Sequence, residues 1–208
     1  MEFLIGVPRN YYMNTKNFYL VDFHDIDILE ALQYNILRNS TKREQNMKVC
    51  FIGHRTIEKT ENLVGLLREV IVNLINRGAK TFLFGSKSAF DDLSWQIVSE
   101  LRETYPFINR TYVRSAYQYI SKSYEEYLLE SFEETYFPLK LERAGRCSYV
   151  ERNYEMINSS DCCVFYYNES YVPVLKGNRA VEDSRKSGTK IAYEYAKKKK
   201  KEIINLFR

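Results

Sequence analysis

The chain has 208 residues, of which 45% are hydrophobic, 15% aromatic and 28% charged. That is enough apolar material for a core in a chain the size of one ordinary domain and a little more. Eight glycines and four prolines exclude collagen-like and linker-like sequences, and no apolar run approaches the ~20 residues that span a bilayer. Lys plus Arg is 31 against 27 acids, a formal net charge of +4, which supports solubility and weak attraction to anions and little else.

The first residues, Met-Glu-Phe-Leu-Ile-Gly-Val-Pro-Arg, lack the basic start and long apolar stretch of a signal peptide, so a cytoplasmic protein without membrane contact is expected. Phe18 to Phe23 suits a strand and Ile26 to Leu37 an amphipathic helix. The polar string Asn39 to Asn46 then separates this portion from the rest. Residues 1–46 read as an N-terminal extension: either an accessory segment, or upstream sequence before a native start at Met47. Residues 47–208 read as the main domain.

From Lys48 onward, strand and helix signals alternate. Val49-Cys50-Phe51-Ile52, ending at Gly53, is a short apolar run of the kind buried on both faces of a sheet. Leu63, Leu66, Leu67, Val70, Ile71, Leu74 and Ile75 recur at helical spacing, and Gly78 ends that helix. Thr81 to Phe84 is a second strand closed by Gly85. Leu93, Ile97, Val98 and Leu101 mark a helix that stops at Tyr105-Pro106, and Ile108 to Val113 is a third strand. A tyrosine-rich helix follows, with Ser123 and Glu126 in capping-box spacing, then an irregular stretch from Tyr136 to Gly145.

Val150, Tyr154, Met156 and Ile157 predict a helix ended at Asn158 to Asp161. Cys162 to Tyr166 is a strand, Ile191 to Lys199 a helix and Ile203 to Phe207 the last strand. Asn168 to Ser187 is a polar excursion, and the run Lys197 to Lys201 reads as a solvated helix end. Such alternation implies a doubly wound α/β fold, a mostly parallel Rossmann-like sheet covered on both faces.

Cys162, Cys163 and Cys50 lie in apolar runs and Cys147 in a loop. Without Cys-x-x-Cys spacing, and with two histidines, neither a zinc site nor a redox pair is expected. Metal and cofactor are both expected to be none, and a reducing compartment fits these free thiols.

Ligands of a doubly wound sheet collect at the carboxyl ends of its strands. Four segments fall there: Gly53-His54-Arg55; Gly85-Ser86-Lys87-Ser88 with Phe90-Asp91; Glu151-Arg152-Asn153; and Ser187-Gly188-Thr189-Lys190. Glycine lets backbone approach a phosphate, a helix start offers free N–H groups, hydroxyls add donors and arginine adds a forked donor. Asp91 suits sugar hydroxyls. Each piece has a plain structural alternative: glycine as a turn, Asp91 as a helix cap after Ser88, and Arg152 as half of a surface ion pair with Glu151. His54 fits either a general acid–base or a satisfied structural histidine. Most of the eighteen tyrosines suit half-buried packing, although Tyr166, Tyr167 or Tyr171 is placed to stack on a base. Scattered basic residues and a small net charge make nucleic acid an unexpected partner.

These same residues carry a resemblance. Cys50 to Arg55, Phe84-Gly85-Ser86 with Phe90-Asp91, Arg152-Asn153 before Asp161, Ser187 to Lys190 and Tyr195-Ala196-Lys197 resemble the SLOG superfamily, and within it the YpsA-like branch of bacterial proteins, from about Met47 to Phe207. The resemblance implies a modified Rossmann fold. The superfamily includes nucleotide-ligand sensors, a DNA-processing protein and cytokinin-activating phosphoribohydrolases. It also implies a homodimer, and a nucleotide-type pocket lined by Gly53, His54, Arg55, Gly85, Ser86, Lys87, Phe90, Asp91, Arg152, Asn153, Ser187, Gly188 and Thr189.

The phosphoribohydrolases carry a Pro-Gly-Gly-x-Gly-Thr turn followed by a catalytic glutamate. Here Lys190, Ile191 and Ala192 follow Thr189, and the nearest acid is Glu194. The expectation is therefore a nucleotide-binding sensor or sequestering protein with no catalytic residue. The alternatives are a phosphoribohydrolase-type enzyme using Glu194 or Asp91, and an interaction module with a vestigial pocket.

Overall fold

A computed structural model describes residues 46–85, 88–172 and 186–207. The chain separates into two units, Met1–Arg43 and Glu44–Arg208, and the described residues belong to the second. The strand and helix expected within residues 18–37 lie outside the described residues.

Six strands form one sheet: β1 (Met47–Gly53), β2 (Ala79–Phe84), β3 (Asn109–Val113), β4 (Glu134–Tyr136), β5 (Cys162–Tyr166) and β6 (Glu202–Asn205). Their order is β4-β3-β2-β1-β5-β6, and every pair is parallel. The chain therefore steps outward from β1 to β4, crosses back, and continues from β5 to β6. The reversal falls between β1 and β5, where a doubly wound sheet leaves a crevice for ligands. Among the described residues five helices supply the connections: α1 (Glu61–Asn76), α2 (Ala89–Thr104), α3 (Lys122–Leu129), α4 (Ser148–Ser159) and α5 (Gly188–Lys198). This is the expected α/β Rossmann-like arrangement.

Two cores flank the sheet. On one face Val49, Phe51, Phe82, Phe84 and Val164 meet Leu63, Leu67 and Ile71 of α1 and Phe90, Leu93 and Ile97 of α2. On the other, Cys50, Ile52, Leu83, Cys163 and Phe165 meet Met156 and Ile157 of α4 and Ala192 and Ala196 of α5. β1 and β5 contribute to both because alternate side chains leave a strand on opposite faces. That is why their sequences are continuously apolar rather than alternating.

The helix ends follow local chemistry. Thr60 caps α1 by accepting from Leu63 N at 3.1 Å, and Gly78, at φ 104°, turns the chain into β2 as glycine readily does. Ser88 caps α2 through Asp91 N at 3.1 Å, and Ser187 caps α5 through Lys190 N at 3.1 Å. At the other end of α5, Lys200 adopts φ 54°, while Lys201 N bonds Ala196 O at 3.1 Å and Lys200 N bonds Lys197 O at 3.0 Å, a Schellman ending. Lys197 to Lys200 are exposed. Lys201 instead donates from Nζ to the carbonyls of Asn158 and Ser160 at 2.9 and 2.6 Å, satisfying the end of α4.

Two local expectations change. The cap of α3 is Ser121, which accepts from Tyr124 N at 3.3 Å; Ser123 already lies inside the helix, so its spacing to Glu126 is incidental. β4 was not expected at all: it is a three-residue edge strand paired with β3 from Thr111–Glu134 to Val113–Tyr136, too short to carry a period. All four cysteines are free thiols, three of them buried, and burial pushes the Cys162 thiol up to about 12. No described helix is long and apolar enough to cross a membrane.

Candidate functional site

The carboxyl ends of β1, β2 and β5 bring several of the expected residues together. Gly53 ends β1 and pairs in register with Tyr166 at the end of β5. Its missing side chain makes room for α2, because a Cβ there would lie 2.4 Å from Phe90 Cβ and 2.5 Å from two ring carbons. Phe90 is itself fully buried against Phe51 and Tyr166 and offers no accessible surface. This glycine's close approach is to the protein's own helix.

Gly85, just beyond β2, is held from both sides. Its N–H points to Asp91 Oδ2 at 3.4 Å, and its carbonyl accepts from Arg152 Nη1. A Cβ at Gly85 would meet Arg152 Nε and Met156 Sδ, each at 2.7 Å. Asp91 thus reaches past its own helix start to the end of β2, while Ser88 supplies the cap. Ser86 and Lys87 lie outside the described residues.

Arg152, in the second turn of α4, is 2% exposed; the sequence alternative of a surface ion pair with Glu151 does not hold. Besides Gly85 O, it donates to Asn153 Oδ1 from Nη2 at 3.0 Å and from Nε at 3.3 Å. Its plane lies near the Tyr149 ring, 5.5 Å from the centroid. A guanidinium has five N–H donors, and these bonds use three, leaving two without a partner among the described residues. Burial pushes the group's pKa down, while the Asp91 carboxylate favours its charge.

His54 is 2% exposed. Its Nε2 lies 2.9 Å from Asn168 N, and Tyr171 stacks on its ring at 3.8 Å and 16°. Burial pushes its pKa below the usual histidine value. Arg55 is exposed, and its carbonyl accepts from Ala89 N at 3.0 Å, tying the loop after β1 to the start of α2. At α5, Ser187 acts as the cap, Thr189 is 7% exposed, and among the described residues nothing lies within 4 Å of a Cβ built on Gly188. The tyrosines proposed for base stacking have partners already: Tyr167 stacks on Tyr193 at 4.5 Å, Tyr171 on His54, and Tyr166 meets Phe207 edge-on. Of the two acids considered for catalysis, Glu194 pairs with Lys186 at 2.7 Å and Asp91 is 2% exposed beneath Gly85.

Sequence reasoning missed three contributors. Asn168 holds His54 across 114 residues of chain, Met156 packs against Gly85, and Tyr149 covers Arg152. Only a polar residue closing a strand pointed toward Asn168, and no signal pointed to the other two. Two surface depressions are lined by none of these candidate residues. One is at the start of α1 around Lys59 to Gly65. The other is on the sheet face lined by Lys48, Thr81, Thr111, Glu134 and Glu155. Among the described residues no group of three or more His, Cys, Asp or Glu side chains is placed to hold a metal ion.

No family model matches the chain, and no curated protein matches it. Among solved structures, a chain of DNA processing protein A from Helicobacter pylori, described for its single-stranded DNA binding mode, superposes with a TM-score of 0.45 at 16% identity. The match covers 76% of this chain and 63% of that one, so this chain spans less than two thirds of that protein's length. The expectation against nucleic acid is corrected by this finding: a chain matched on its fold is described as binding single-stranded DNA, and a net charge of +4 was never strong evidence against such a partner. The α/β Rossmann-like fold is established by the parallel sheet itself and the helices on its two faces.

Proposed function

We propose that the chain binds a nucleotide-derived, phosphate-bearing small molecule at the carboxyl ends of β1, β2 and β5, as a sensor or sequestering protein and without hydrolysis, in keeping with its resemblance to the SLOG superfamily and the YpsA-like branch. The observation that carries this reading is Arg152: a guanidinium 2% exposed with two N–H donors unspent among the described residues beside the end of β2. A buried cation with spare donors suits an anion that completes its hydrogen bonds and charge. The starts of α2 and α5 add the dipole ends and free N–H groups that favour phosphate, and no described residue crowds Gly188. Hydrolysis is disfavoured because Glu194 is paired with Lys186 and Asp91 is committed to Gly85.

The test is native mass spectrometry of the purified protein, followed by denaturation and identification of what is released. It is paired with calorimetric titration of AMP, ADP-ribose and related nucleotides. A stoichiometric phosphate-bearing compound, or saturable binding from that panel without turnover, is the expected result. A protein that purifies empty and binds none of the panel overturns the reading; release of free base from a nucleoside monophosphate restores the enzyme reading.

A further inference from the structure

At the β1 end of this edge, His54 carries information that the anion site does not use. Asn168 donates its backbone N–H to Nε2 at 2.9 Å. A backbone amide only donates, so Nε2 must present its lone pair and the ring proton sits on Nδ1. Asn168 O, although 3.1 Å from Nε2, accepts from Tyr171 N at 3.2 Å. That turn is reinforced by Ser170 N donating to Asn168 Oδ1 at 2.9 Å. A proton added to Nε2 would point at the Asn168 N–H, and burial opposes a charged imidazole as well. His54 is thus an uncharged Nδ1–H donor, unsuited to exchanging protons through Nε2.

Nδ1 is buried and has no hydrogen-bond partner among the described residues. Orphaned buried donors are rare and costly, and one retained at a strand end of the ligand-binding edge calls for an acceptor. The imidazole face is covered by Tyr171, a half-buried residue that belongs to no helix or strand. Its side chain is held by that stack and by its hydroxyl, 3.2 Å from Thr56 Oγ1. Next to it, Val172 is 64% exposed.

We propose that His54 recognises the ligand as a neutral Nδ1–H donor to an uncharged acceptor atom of its heterocyclic base lying in the imidazole plane, and that Tyr171 is a cover that swings aside to admit that base. The inference rests on the nucleotide reading above and orients the ligand, with its charge at Arg152 and its base at His54.

Three variants and one spectroscopic measurement test it, with AMP as the probe. His54→Gln keeps an acceptor where Nε2 stood but loses the Nδ1 donor, and AMP affinity falls at least ~10-fold. His54→Asn keeps an amide donor near the Nδ1 position and stays within about 3-fold of the parent, a change smaller than the loss of one hydrogen bond. Tyr171→Ala removes the cover and tightens AMP several-fold, since the open form no longer has to be drawn from a minor population. Nitrogen-15 NMR of the unliganded protein shows His54 protonated on Nδ1, and that N–H moves when AMP is added. Full AMP affinity in His54→Gln, weaker binding in Tyr171→Ala, or a proton on Nε2 overturns the proposal while leaving the nucleotide reading intact. Failure of the parent protein to bind AMP or any other nucleotide removes both.

Discussion

Replacing Gly53 by alanine should destabilise the protein through one contact. The new Cβ would lie 2.4–2.5 Å from three atoms of Phe90, against 3.4–4 Å for ordinary contact, so Phe90 would have to retreat by about 1 Å. It has nowhere to go: it is fully buried, with Phe51 at 6.4 Å and Tyr166 at 5.8 Å between ring centroids, and it sits in the first turn of α2. Overpacking of this kind costs ~1–3 kcal/mol, and the rigid surroundings place it near the top of that range. Against a total stability of ~5–15 kcal/mol this is a large fraction.

Urea unfolding followed by far-ultraviolet circular dichroism measures it. Gly65→Ala serves as the control. Gly65 is exposed in the interior of α1 with nothing within 4 Å of a built Cβ, so the same substitution should stabilise by ~0.5–1 kcal/mol. Phe90→Ala removes the two ring carbons from that contact and leaves only its Cβ. In the double variant the costs should therefore fall short of additivity by at least ~1 kcal/mol. A loss under about 0.5 kcal/mol for Gly53→Ala, within the range of an ordinary surface change, or strict additivity with Phe90→Ala, refutes this account of Gly53.

Arg152→Met removes the cation beside buried Asp91 and leaves the Gly85 carbonyl unpaired, an expected loss of ~3 kcal/mol in the same assay; an unchanged midpoint would contradict the buried placement of the guanidinium. Stability should fall as pH drops below about 6.5, the ordinary histidine value, because unfolded His54 takes up a proton that the folded ring resists. His54→Gln should flatten that slope. A second loss should follow below the usual glutamate range. Burial raises Glu133, but hydrogen bonds from Arg110 and the charges of Arg110 and Arg102 outweigh it and hold the carboxyl low. Its stabilisation is therefore present above that range and is lost as pH falls through the folded value. In a thiol-reagent time course Cys147 should react at once and Cys50, Cys162 and Cys163 only on unfolding; rapid modification of two or more thiols would contradict the sheet placement. Lys201→Met should cost ~1 kcal/mol through the unsatisfied carbonyls of Asn158 and Ser160.

Much of the fold was legible by itself. β1, β2 and β5 are short apolar runs because both faces are covered, α1 shows its buried stripe at helical spacing, and Ser88 and Ser187 cap the helices that follow them. These are local signals, set by side-chain period and by backbone groups a few residues apart. β4 was not legible, because an edge strand of Glu134-Thr135-Tyr136 exists only through pairing with β3.

The site divides in the same way. Composition alone placed glycine, arginine and hydroxyl residues at the carboxyl edge, since strand order and the doubly wound rule put them there. Only the tertiary structure decided what each one touches. The space a side chain would take at Gly53 is filled by Phe90 of the protein itself. Arg152, which next to Glu151 suits a surface pair, is buried against Gly85 across 67 residues. The tautomer of His54 is set by a backbone amide 114 residues away. A residue's type dictates which bonds it is able to make, but burial and the partner are supplied by distant chain, and those fix charge, tautomer and access.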